Sequence, residues 1–297
     1  MRFGVHCSIR NGYIGAVQQA IALGCTTMQM FSHSPRVWKF PPPDEEEVEA
    51  FKAAWLASGM HPLAVHAAYL PNPATDDRAL RNRSVRMLCE EFVLAARIRA
   101  DYLVLHPGSY SPTSTREAGI RLLAEAIREA LSAAPDGPMI LVEQVCARGR
   151  KLGGSFSEIA RIMSHLRYDC RVGLCLDTAH AHASGYDLAT HRGVQRLTHD
   201  IQREIGLERL RLVHLNDSDA PAGSGIDRHA HIGTGTIGIA GFRRILAHPK
   251  FRNLPGILET PKEAPFGVVS AADRRNLSVL EFLSRSIVGK SAVEHRR

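Results

Sequence analysis

The sequence predicts a single eight-stranded α/β barrel, (β/α)8. Eight short apolar runs rich in β-formers recur along the chain, and amphipathic helical patterns fill the gaps between them. The 297 residues also suit one barrel, typically about 250 residues plus insertions. No low-complexity linker or shift in composition divides the chain, so residues 1–297 read as one domain. A doubly wound open sheet alternates strands and helices too. Nothing here resembles the glycine-rich fingerprints of its nucleotide-binding versions.

The apolar runs fall at 2–7, 26–32, 62–67, 102–107, 139–145, 172–178, 210–216 and 256–260. Each is short and bounded by turn or polar residues, as a strand buried on both faces should be. Between them, 78–99 and 116–133 carry apolar residues three and four apart, and 273–288 repeats the pattern near the end. The run PPPDEEEVEAF at 41–51 reads as a helix start. Asp44 is a candidate cap, and Glu45 to Glu47 would face the positive end of the helix dipole.

The composition is that of a globular enzyme, with 44% hydrophobic and 23% charged residues. No apolar run reaches the roughly 18 residues that a bilayer span needs, and the N-terminus has no signal-like apolar region. A cytoplasmic protein without membrane partners is therefore expected. Six scattered cysteines without a C-x-x-C spacing read as reduced packing thiols. The net charge of +7 favours an anionic partner, nucleic acid first. The excess is almost entirely Arg, 31 against 6 Lys, which leaves compositional bias as the bland alternative.

In an α/β barrel the chemistry sits where strands end. Six runs end in a His, Asp or Glu: His66, His106, Glu143, Asp177, His214 and Glu259. His6 is a weaker seventh. These three residue types total 45 of 297 residues, so the coincidence at strand ends is well beyond composition. Imidazoles and carboxylates without Cys suit Zn, Mn or Fe. His180 lies one helical turn past Asp177. In GSGIDRHAHIGTGT, Asp227 and His229 alternate around Arg228 and face the same side of an extended stretch. With His180 they form a set that would grip one metal. Nine candidate ligands exceed the needs of one ion and suggest two or three. A single strand-end His is more often a hydrogen-bonded core group. Nine ionisable groups converging without a metal would repel and stay poorly satisfied.

With these residues in place, the chain resembles the endonuclease IV family of metal-dependent apurinic/apyrimidinic endonucleases. The matching segments are VHAAYLPN (65–72), LHPGS (105–109), LCLDTAHAHASGYD (174–187), HLNDS (214–218), DRHAHIGTGTIG (227–238) and ILETP (257–261). The resemblance implies a (β/α)8 TIM barrel with about three Zn2+ ions, Mn2+ or Fe standing in at some sites. One set would be His66, His106 and Glu143. A second would be Glu143 as bridge with Asp177, His214 and Glu259. The third would be His180, Asp227 and His229. It implies hydrolysis of the phosphodiester 5′ to an abasic site in double-stranded DNA, leaving a 3′-OH and a 5′-deoxyribose phosphate, with repair of 3′-blocked ends as a companion activity. Glu143 and Glu259 would be the catalytic carboxylates, and Glu259 would orient the attacking water or take its proton. Arg36, Tyr69 and Arg228 match positions that contact DNA. A monomer with no obligate protein partner is expected.

The chain departs from the family pattern in three places. Gln144-Val145-Cys146-Ala147 replaces Asn-Thr-Ala-Gly and is followed by the basic stretch Arg148 to Lys151. Thr234 stands between Gly233 and Gly235, where the family has Glu, and Ser34 replaces an Asn. None of these is a candidate ligand, so they bear on lesion preference. The alternative reading is a metal-dependent sugar or sugar-phosphate isomerase or epimerase on a related barrel. It has no need of the His180, Asp227 and His229 set, and it usually wants a Lys or paired carboxylates to shuttle protons. A DNA-binding protein without catalysis would show a lost ligand, and all nine are present.

Overall fold

A computed structural model describes residues 1–39, 41–146, 148–263 and 268–294. Ala147 of the altered loop lies outside them. The strands are β1 (Arg2–Cys7), β2 (Met28–Phe31), β3 (Leu63–His66), β4 (Tyr102–Leu105), β5 (Met139–Gln144), β6 (Val172–Asp177), β7 (Leu210–His214), β8 (Asp217–Ser218), β9 (His229–Ala230) and β10 (Pro255–Leu258). The helices are α1 (Gly12–Leu23), α2 (Glu45–Ser58), α3 (Arg78–Arg97), α4 (Arg116–Ala133), α5 (Phe156–His165), α6 (Thr178–Ala183), α7 (His191–Glu204), α8 (Gly238–Ala247) and α9 (Ala271–Glu294). All eight apolar runs coincide with barrel strands, β10 starting one residue before its run. They close in the order β1-β10-β7-β6-β5-β4-β3-β2, and every pairing is parallel. Closure rules out the open doubly wound sheet. The antiparallel pair β8–β9 corresponds to none of the eight runs and stands outside the barrel.

Local chemistry sets the helix starts. Asp44 accepts from the Glu47 amide at 2.8 Å and caps α2, with Glu45 to Glu47 in the first turn. Asp77, Thr115, Ser155 and Thr190 cap α3, α4, α5 and α7 in the same way. One large apolar core lies between sheet and helices and contains Val65, Leu103, Val142, Leu174 and Val213 from the strands.

A second, separate cluster fills the barrel: Ala64, Val104, Leu141, Cys175, Leu212 and Ile257. Side chains two apart on a strand share a face. Two residues beyond these six stand His66, His106, Glu143, Asp177, His214 and Glu259. The same step leads from Gly4 to His6 and from Thr27 to Gln29. The apolar layer is therefore a floor, and the candidate ligands stand on it at the mouth.

Strand β1 approaches β2 so closely that a Cβ on Gly4 would overlap the Thr27 carbonyl. Gly4→Ala should therefore destabilise the barrel by about 1–3 kcal/mol, the usual penalty of overpacking. Urea unfolding measures it, and an unchanged midpoint would refute the close approach.

Candidate metal centre at the mouth of the barrel

Glu143, on β5, is the hub. Its carboxylate is fully buried. Oε2 lies 3.3 Å from His66 Nε2 and 3.2 Å from His106 Nε2. Oε1 lies 3.2 Å from His180 Nδ1 and 3.4 Å from His214 Nδ1. His214 Nδ1 also faces Glu259 Oε2 at 3.2 Å and Asp177 Oδ2 at 3.9 Å. All nine residues singled out from the sequence converge here. Candidate donor atoms of His66, His106 and Glu143 lie within 4.8 Å of one another, as do those of Glu143, Asp177, His214 and Glu259.

The third set assembles beside them. Asp227 Oδ2 is 3.2 Å from His180 Nε2, and Asp227 Oδ1 is 3.4 Å from His229 Nε2. Asp177 takes a larger part than expected, since it also groups with His180 and His229. Its Oδ1 caps α6 by accepting from the His180 amide at 2.9 Å. The centre grades outward. Glu143, Asp177 and His214 are 0% exposed, whereas the Asp227 side chain is 46% exposed.

Most of the imidazoles are held by one nitrogen. His66 Nδ1 faces the Ala67 carbonyl at 2.7 Å, and His229 Nδ1 faces that of Glu259 at 3.1 Å. His180 Nδ1 faces the Gln144 carbonyl at 3.1 Å, and His214 Nε2 faces Gln29 Oε1 at 3.0 Å. A carbonyl accepts only from N–H, so in a neutral ring the other nitrogen presents a lone pair. That is how metal-binding histidines are oriented. Glu143 Oε1, His214 Nδ1 and His229 Nε2 are buried without a hydrogen-bond partner. Buried polar atoms left bare are rare, and a cation would satisfy these three.

Charge tells the same story. Burial pushes the Glu143 carboxyl upward, yet the facing His106 and His214 hold it well below the usual carboxylate range. Burial lowers His180 and His214, but Asp177, Asp227 and Glu143 push the first, and Cys175 with Glu259 and Glu143 the second, well above an ordinary imidazole. His229 is pushed up to about 9 against the same opposition from burial, by Asp177 first. Without an ion the cluster is thus a knot of imidazolium and carboxylate. A divalent cation takes the place of those protons, and its binding releases them.

Two loops are fixed onto this centre. Asp217, fully buried on β8, accepts from the amides of Ser218, Gly233, Gly235, Ile237 and Gly238 at 2.8–3.3 Å. It gathers the turn that follows His229. Gly235 is required there, because a Cβ would meet the Ser218 carbonyl and the Asp217 carboxylate. Arg148, from the altered loop after β5, donates to the Ser224 carbonyl and ties that loop to the segment carrying Asp227.

The expected DNA contacts surround the mouth. Tyr69 is 57% exposed, and its ring packs near Phe31, His66 and His106. With His106, His180, Asp227, His229 and Glu259 it lines a cavity of about 310 Å³. Arg36 and Arg228 stand on the flanking loops, and both are exposed. Trp38 lies under the Arg83 guanidinium, 4.1 Å from its ring centre. His182 and His231, close in sequence to the third set, bond instead to Leu188, Thr236 and Asn276.

Reading the sequence leaves His6 a weak candidate and misses Gln29, Asn216 and Glu91. His6 Nδ1 lies 3.1 Å from Glu259 Oε1, so the weak seventh candidate does reach the centre. Gln29 donates to that same oxygen at 2.6 Å. Asn216 donates to Asp177 Oδ2 at 2.7 Å and accepts from the Glu259 amide at 2.8 Å. Glu91, on α3, is fully buried, and its Oε1 accepts from Ser32 Oγ and from the Ala68 amide, each at 2.9 Å. It joins the loops that carry Arg36 and Tyr69. The available signals were position in the ring for Gln29, the step past a strand-end His for Asn216, and nothing for Glu91.

Fold and site together define a xylose isomerase-like TIM barrel, and the model of that family matches residues 17–283. A D-tagatose 3-epimerase-like protein shares the fold, with a TM-score of 0.72 at 16% identity over 98% of this chain and 100% of its own. Nearer likenesses are narrower. The "Probable endonuclease 4" of Halothermothrix orenii is 40% identical over 262 residues, covering 88% of this chain and 94% of its own. Endonuclease IV from Thermus thermophilus superimposes with a TM-score of 0.84 at 36% identity, over 96% and 100% of the two chains. The chain belongs to the endonuclease IV family. It is a hydrolase of the nuclease class.

Glu91 yields a pH test. Burial raises its carboxyl from 4.5 to about 7. The folded state therefore holds this proton more tightly than the unfolded chain does. The resulting stability is fully present below pH 4.5 and is lost as pH rises through 7. The span amounts to about 3 kcal/mol. Glu91→Gln should remove most of it, so urea unfolding at pH 5 and 8 should show a smaller difference in the variant. Equal differences in both proteins would contradict the assignment. Asp217→Asn should speed hydrogen exchange at Gly233, Gly235, Ile237 and Gly238, and unchanged protection there would rule out the carboxylate as their anchor.

Proposed function

We propose that this nuclease hydrolyses the phosphodiester 5′ to an abasic site in double-stranded DNA, leaving a 3′-OH and a 5′-deoxyribose phosphate. The carrying observation is a set of overlapping His–carboxylate groups that share Glu143 and Asp177, the donor atoms of each group lying within 4.8 Å of one another. About three Zn2+ ions would be held, the first by His66, His106 and Glu143. Glu143, Asp177, His214 and Glu259 would hold the second, and His180, Asp227 and His229 the third. Mn2+ or Fe suits part of the same donor set. Bound together, such cations neutralise phosphate charge and lower the pKa of a water that attacks phosphorus.

The chain's own groups supply the rest. Glu259 Oε1 is engaged by His6 and Gln29, and Oε2 faces His214; as one holder of the second ion, Glu259 would orient the water beside that ion or take its proton. Tyr69 offers an exposed ring as a wall for a sugar turned out of the helix. Exposed Arg36 and Arg228 would meet the backbone, and exposed Arg148, Arg150 and Lys151 would add positive charge. The same centre would trim 3′-blocked ends, since those are phosphoesters too. No helix among the described residues is long and apolar enough to cross a membrane. We propose that residues 1–297 act as one domain and as a monomer in the cytoplasm, without an obligate protein partner.

An incision assay tests the reading. A duplex with one stable abasic analogue and a label on the damaged strand is incubated with the protein, before and after prolonged chelation, beside an undamaged duplex. A single cut 5′ to the lesion, a 3′-OH product and loss of cutting after chelation are expected. Glu143→Gln should lower the rate by about 100-fold or more, since disturbing even the partners of ligands costs 10–100-fold. Cutting that survives metal removal, or that ignores the lesion, overturns the proposal.

A further inference from the structure

The ring of residues above the barrel floor contains one amide among ionisable groups. Along the strands it reads His6, Gln29, His66, His106, Glu143, Asp177, His214 and Glu259. Gln29 is completely buried. An amide there brings one donor end and one acceptor end, and both are used. Nε2 donates to Glu259 Oε1 at 2.6 Å, and Oε1 meets His214 Nε2 at 3.0 Å. The two partners sit on β7 and at the end of β10, so the side chain reaches across the mouth from β2.

The orientation of this amide is forced. Turned over, its oxygen would face the Glu259 carboxylate, acceptor against acceptor. In the orientation seen, the amide oxygen can accept only from N–H, so His214 carries its proton on Nε2. In the neutral ring, the form that binds a cation, the lone pair is then on Nδ1, the atom that is buried without a hydrogen-bond partner. That atom faces Glu259 Oε2 at 3.2 Å and Glu143 Oε1 at 3.4 Å. Glu259 is constrained from the same side. Gln29 and His6 both approach its Oε1, which leaves Oε2 turned toward His214.

We propose that Gln29 is a positioning residue that selects which nitrogen of His214 and which oxygen of Glu259 are offered to a cation. It acts on the set Glu143, Asp177, His214 and Glu259 and leaves the other two sets alone. The inference rests on the reading of this centre as a metal site. A residue that merely filled the mouth of β2 would be replaceable by any side chain of equal length.

Gln29→Met keeps the length and removes its hydrogen bonds to Glu259, His214 and His6. Chelator-stripped wild type and variant are titrated with Zn2+ against a chromophoric chelator, with circular dichroism as the check on folding. One ion per chain should bind 10–100-fold more weakly in the variant, the usual effect of losing such a partner, while the remaining ions keep their affinity. Equal affinities throughout in a folded variant overturn the proposal. Nitrogen NMR of the zinc-loaded wild type, labelled at its histidine rings, gives a readout that needs no variant. Zinc on His214 Nδ1 with the proton on Nε2 is expected, and zinc on Nε2 overturns the proposal whether or not the variant folds. Wild type that takes up no zinc would instead sink the metal-centre reading on which this inference stands.

Discussion

Everything at the mouth of this barrel depends on the burial of the Glu143 carboxylate among four imidazoles. A lone ionised carboxylate in such a place is strongly disfavoured, by several kcal/mol even after relaxation. Here His66, His106, His180 and His214 approach it from β3, from the end of β4, from α6 and from β7. Each ring is in turn placed by the backbone it grows from, so the barrel strands and one short helix must be correct before the carboxylate is tolerable. The centre is therefore a consequence of the barrel's closure. It also concentrates charge that only a partner of opposite sign, proton or metal ion, can balance.

Three of the candidate ligands depend on features other than strand ends. His180 stands on a helix capped by Asp177, itself a member of the centre. Asp227 and His229 belong to a segment whose following turn is gathered by Asp217 and whose start is tied to the loop after β5 by Arg148. Epimerase-like barrels share the scaffold at low identity, so the scaffold does not decide the chemistry. The loops that carry the third set leave Asp227 half exposed at the rim of the mouth.

The strands were legible because buried parallel strands announce themselves as short apolar runs, and their ends because a charged residue after such a run has few bland explanations. His66, Glu143, Asp177 and His214 were found in this way, and they are terminal or near-terminal in their strands. Asp227 and His229 were legible from alternation alone. Gln29 was not, because an amide between Met28 and Met30 carries no charge to mark it. Glu91 was hidden beside Glu90 in a helix rich in Arg, where a carboxylate ordinarily faces water. Within the basic stretch at 148–151, nothing local announces that the Arg148 guanidinium turns to the Ser224 carbonyl. These cases share a cause: pairing across the barrel joins residues far apart in sequence, and no local pattern encodes it.

The step of two between floor and ring has an architectural meaning. Ala64, Cys175 and Ile257 stand on the same strands as His66, Asp177 and Glu259, so their volumes set how far apart those strands lie at the mouth. The separations among the ionisable groups are thus governed from beneath, by side chains that never touch a substrate. A lineage can widen or narrow its reactive centre by exchanging one methyl group for another in a dry layer, leaving every charged residue unchanged.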